Sequence, residues 1–152
     1  MKLNEAIKTL ENNGYLVESQ INKADADTLY TLAFNALLMA DQIHVYHWSC
    51  DSGFQHGIFQ TLYEGLRDFA DELVELTLSS GVKFNYKLVK ENIPSDEKFS
   101  IDNAIKLLEN YNKDLEKLVD TDTISKKKDI ENCITDVITM ITKQIGLLKN
   151  FE

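Results

Sequence analysis

Apolar residues recur at intervals of three and four through most of the chain, the period that lines one face of a helix. From about Asp25 or Asp27 to Trp48, the residues Leu29, Leu32, Ala36, Ala40, Ile43 and His47 fall on one stripe. Phe34, Leu38, Val45 and Trp48 form a second stripe on roughly the opposite side. A helix of a lone four-helix bundle needs to bury one face only, so the second stripe predicts a partner subunit or cover by another segment of the chain. A second helix is expected from about Gln55 to Ser80, ended by Gly81, with Phe59, Leu62, Leu66, Phe69, Leu73 and Leu76 as its core stripe. At about 100° per residue, Asp71 and Glu75 fall far from that stripe, together with Glu64 and Asp68, and are expected to point away from their own bundle.

Ser100 is placed to cap a third helix with core positions Ile101, Ile105, Leu108, Leu115 and Leu118. Thr123 or Ser125 is placed to cap a fourth, built on Ile130, Ile134, Val137, Ile141, Ile145 and Leu148. Residues 82–99, with Pro94, read as a connection long enough to cross the bundle or to hold a short helix. Residues 1–20 read as an appendage and possible docking segment: Asn4 caps Ala6, Ile7 and Leu10, then Asn13-Gly14 ends the turn before Tyr15-Leu16-Val17. The expected architecture is therefore all-α, an up-down four-helix bundle over residues 21–152, with a long connection between its second and third helices.

Composition agrees with that pattern. A chain of 152 residues with 43% hydrophobic side chains fits one domain, and a single proline with six glycines leaves too little turn chemistry for a sheet. The net charge of -9 disfavours direct DNA binding, which relies on exposed cations. Lys126-Lys127-Lys128, the one basic cluster, reads as a solvated helix start. Cys50 and Cys133 lie far apart without a CxxC spacing, and the N-terminus does not look like a signal peptide, so a cytoplasmic setting is expected. The most apolar run, Leu32 to Ala40, is too short to span a membrane.

Four potential metal ligands stand close together in the sequence: His47, His56, Asp71 and Glu75. Asp71 and Glu75 share a helix face one turn apart, and imidazole combined with carboxylate suits Fe, Mn or Zn better than Mg or Ca. Di-iron sites inside one bundle use Glu-x-x-His pairs, and this chain has none. The ligands are therefore better placed for a site between subunits, His47 from one chain and Asp71 with Glu75 from its neighbour. Each also has a plainer reading: a lone histidine beside an apolar stripe is usually structural, and Asp71 with Glu75 forms an acidic face with Glu64, Asp68 and Glu72. His44 reads as structural or as an added ligand, Trp48 as a core or interface anchor, Cys50 as a packed thiol or as a redox-active or ligand thiol near the site, and Cys133 as core.

The order His47-Trp48, His56, Leu62-Tyr63, Asp71-Glu72-Leu73-Val74-Glu75 and a helix end near Gly81 resembles the first half of the Dps mini-ferritins. It is also similar to a group of phage-encoded ferritin-like proteins, and residues 1–20 resemble short N-terminal segments of phage proteins. The resemblance covers about residues 29–81. It implies a ferritin-like fold, a homo-oligomer of twelve subunits and a ferroxidase centre between two of them. Its ligands would be His47, His56, Asp71 and Glu75, with Trp48 near the iron. The implied activity is oxidation of Fe(II) by peroxide or dioxygen, with storage of the product and protection against oxidative stress.

There are departures. The segment between the two histidines is about three residues short, Gln60 stands where the family has a carboxylate, Leu76 stands where most members have arginine, and no basic tail is present. The first three favour one rival, a non-catalytic ferritin-like structural or interaction protein of viral type; a second rival is a bundle whose interface is stabilised by Zn or Mn.

Overall fold

The computed structural model describes Glu5, residues 21–88 and residues 99–150. The appendage expected over residues 1–20 lies outside the described residues apart from Glu5, as does Pro94. The described chain is a helical bundle of four long helices and one short one: α1 (Lys23–Ser49), α2 (Gly53–Ser79), α3 (Ile101–Val119), α4 (Asp122–Ser125) and α5 (Lys128–Asn150). Among the described residues no helix is long and apolar enough to cross a membrane.

Local chemistry fixes the helix ends. Asn22 Oδ1 accepts from the Asp25 amide at 2.8 Å, so α1 begins a turn earlier than the acids alone suggest. Ser52 and Ser100 accept in the same way from Gln55 and Asn103 at the starts of α2 and α3. Gly81 closes α2 with φ of 92°, a left-handed conformation that a side chain resists. The fourth long helix starts later than expected. Thr123 and Ser125 lie inside the separate helix α4, which follows Thr121 without a side-chain cap, and Ile124, buried completely, turns that segment into the core. Lys127 is buried at the junction of α4 and α5, so the lysine run is not wholly a solvated face.

Paired contacts give the helix directions. Arg67 meets Asp41 and Tyr63 meets His44, so α2 runs antiparallel to α1. Tyr111 donates to the Leu32 carbonyl and Phe99 packs on Tyr46, so α3 is antiparallel to α1 as well. Lys149 with Glu109 and Thr142 with Asn112 set α5 antiparallel to α3. Helices α2 and α3 are consequently parallel, and the order is up-down-down-up, not alternating. Phe84 packs on Tyr30 near the start of α1, whereas Phe99 packs on Tyr46 near its end, levels about 24 Å apart along the helix. The described ends of the connection therefore lie at opposite ends of α1.

The expected core stripes are buried: Leu29, Leu32, Ala36, Ala40, Ile43 and His47 on α1, five of the six α2 positions, and all six on α5. Leu76 on α2 and Ile101 on α3 are only partly buried at the rim of the core. At Gly65, on the side of α2 that faces α5, a Cβ would stand 2.8 Å from Met140 Cε, the mobile end of that side chain. On the second α1 stripe, Phe34 and Leu38 are partly buried, while Val45 and Trp48 are exposed. Leu37 and Phe54 add to that uncovered apolar surface.

Candidate metal centre

His47 sits in the last turn of α1 and His56 in the first turn of α2, on either side of a three-residue connection, Cys50 to Ser52. The antiparallel hairpin brings their rings together, with centroids 3.4 Å apart and planes inclined by 32°. His47 is buried and His56 exposed. His47 Nδ1 lies 2.9 Å from the His56 carbonyl oxygen. A carbonyl only accepts, so Nδ1 carries the proton and donates. The neutral ring then holds its lone pair on Nε2, the state a metal ligand requires.

An aromatic shelf backs the two histidines. His44 stacks on Tyr63 with centroids 4.0 Å apart, and the tilted Trp48 ring lies 4.6 Å from His44. Tyr63 also meets His47 edge to face at 5.4 Å. Arg67 binds Asp41 at 2.8 Å, holds its guanidinium 5.3 Å from the Tyr63 centroid and lies 3.4 Å from His44 Nδ1. Arginine can only donate, so His44 accepts through Nδ1 and its proton lies on Nε2. His44 is thus committed to the shelf, in keeping with a structural role. Tyr63, Arg67 and Asp41 had no assigned role in the sequence. The available signal was Arg67 itself, the chain's only arginine, one turn beyond Tyr63 on an otherwise acidic helix.

Asp71 and Glu75 lie exposed on the outer side of α2, as the wheel predicts. They are not brought to the histidines of the same chain: Asp71 is fifteen residues beyond His56, about 22 Å along the helix. Among the described residues no three or more His, Cys, Asp or Glu side chains are arranged to hold a metal within one chain. Glu72, between the two acids, is exposed as well, and its charge helps to raise the pKa of the Cys133 thiol on α5. Gln60 Nε2 donates to Glu64 at 3.0 Å, so the amide in place of the family carboxylate is engaged along its own helix.

Cys50 Sγ lies 3.4 Å from the His47 carbonyl and 3.7 Å from His56 Nδ1. Burial pushes this thiol up from its ordinary value, its backbone hydrogen bond works against that rise, and Asp51 adds to it. The grooves between α1 and α3, about 540 and 220 Å³, and between α3 and α5, about 430 Å³, are not lined by either histidine, Asp71 or Glu75.

Comparison of the chain with protein-family models, curated proteins and solved structures finds no match.

Proposed function

We propose that this protein is a ferritin-like iron oxidase whose site is completed between two copies of the chain, His47 and His56 facing Asp71 and Glu75 of a neighbour. The observation that carries the reading is His47: a buried histidine whose Nδ1 proton is committed to the His56 carbonyl, leaving Nε2 as a ligand nitrogen. The one long crossover between α2 and α3 is the connectivity of ferritin-like bundles. Exposed carboxylates on α2, too distant to serve their own histidines, fit an arrangement in which each chain gives one half of two equivalent sites.

Fe(II) is the substrate. His47 binds it, Asp71 of the neighbour ligates or bridges, Glu75 holds it against loss, and His56 serves a weaker second position. Peroxide or dioxygen takes the electrons, and the acidic surface receives the Fe(III) product. The chain's own contribution is to hold ligand nitrogens and carboxylates in place while leaving coordination positions open. Gln60 favours a second reading, because an amide already bonded to Glu64 removes one anionic ligand from the neighbourhood. On that reading the chain is a ferritin-like structural protein that assembles without oxidising iron.

The test is Fe(II) oxidation followed by absorbance, with peroxide and separately with air, for the wild-type protein and for His47→Ala and Asp71→Ala of verified assembly state. Rapid oxidation lost in both variants supports the oxidase. Rates equal to buffer with the assembly intact leave the structural reading.

A further inference from the structure

We propose that Cys50 and His56 form a second site, a thiolate and imidazole pair that takes a borderline divalent cation of the Zn(II) type at the junction of α1 and α2. Cys50 Sγ and His56 Nδ1 stand 3.7 Å apart. Two ligands of one tetrahedral zinc, with Zn–S about 2.3 Å and Zn–N about 2.0 to 2.1 Å, are separated by about 3.6 Å. The donor spacing is thus that of a metal pair before any side chain moves.

The surroundings hold the pair in place. Cys50 is the C-cap residue of α1, its amide bonded to the Tyr46 carbonyl, so its Cα is fixed by the helix. The His56 ring lies against His47, which is only 8% exposed and grips the His56 backbone through Nδ1. His47 Nε2 has no hydrogen-bond partner among the described residues, leaving a further imidazole nitrogen beside the pair. His56 is exposed and Cys50 partly so, which lets an ion enter without opening the bundle.

Binding is a ligand exchange. The Cys50 S–H bond breaks and its proton goes to solvent, an S–metal bond forms, His56 Nδ1 donates its lone pair, and the ion gives up two waters. No electrons change hands. A thiolate favours zinc over the hard cations, and this site needs neither Asp71 nor Glu75. It therefore stands or falls separately from iron oxidation, although a bound zinc occupies His56 and removes it from the iron site.

Co(II) is the probe, titrated into the full-length protein and followed by absorbance. The expected result is a near-ultraviolet thiolate-to-cobalt charge-transfer band that Zn(II) abolishes by displacement. The band disappears in Cys50→Ser, and Co(II) affinity falls about tenfold or more in His56→Ala. It persists in Cys133→Ser and in Asp71→Asn, each checked for helix content by circular dichroism. Should Cys50→Ser misfold, alkylation of the wild-type protein gives the same answer, since bound Zn(II) must slow modification of Cys50. Absence of the band, its survival in Cys50→Ser, or alkylation indifferent to Zn(II) overturns the proposal.

Discussion

Two thiols of opposite character show how far burial decides chemistry at the level of a single residue. Cys133 lies in the core of α5, where burial foremost, then the Glu72 charge and hydrogen bond, push its pKa up to about 12. Cys50 stands at a helix end in partial contact with solvent. A disulfide-exchange reagent at mildly alkaline pH should therefore modify Cys50 rapidly and Cys133 only after unfolding; equal rates for both thiols in the folded protein would contradict this packing. The same burial carries a pH dependence. An unfolded Cys133 loses its proton near 9.0, whereas the folded one keeps it to about 12. Its stabilisation is complete below the unfolded value and is lost as pH climbs through that interval. Tyr111, raised by burial in the same direction, adds to the loss. Urea midpoints should fall across the window and fall less in Cys133→Val. The site histidines were legible in the sequence as residue types, but the state of His47 was not. Its tautomer depends on the His56 carbonyl, which only the folded hairpin places beside it.

Helix ends follow local rules until the core overrules them. Ser100 was readable as a cap because it precedes the apolar period of α3, and its hydroxyl accepts from the Asn103 amide at 3.0 Å. Ser100→Ala should cost about 1 kcal/mol of unfolding free energy. Gly81→Ala should cost about as much, because φ of 92° at that position strains any residue with a Cβ. Chemical denaturation measures both, and a change within error in either would mean that the helix end is held by something else. The start of the last helix was not readable. Thr121, Thr123 and Ser125 all offer cap chemistry, and the choice falls to Ile124, whose burial is a tertiary fact. Helix directions were equally hidden. The connection of residues 82–99 looked long enough to cross the bundle, but only the pairings of Tyr30 with Phe84 and Tyr46 with Phe99 put its described ends at opposite ends of α1.

At the scale of the whole molecule, the uncovered face of α1 and the start of α2 is the feature that asks for a partner. Leu37, Val45, Trp48 and Phe54 are exposed by 42%, 50%, 68% and 48%, a run of large apolar side chains beside the histidine shelf. The second stripe was visible in the sequence because its period is helical; that Phe34 and Leu38 are partly covered while Val45 and Trp48 stay exposed was not. If this face meets a second copy, Leu37→Asp and Val45→Asp should each shift the protein toward monomer in light scattering while leaving helix content unchanged. Unaltered mass in both would place any interface elsewhere. The most direct test of a site shared between chains is complementation. The His47→Ala and Asp71→Ala variants, each inactive alone, are unfolded, mixed in equal amounts and refolded together, and Fe(II) oxidation is measured. Random pairing across a two-fold interface restores one intact site in half of the pairs, so about a quarter of the wild-type rate should return. A rate no higher than that of the two variants refolded separately and then combined would contradict a shared site.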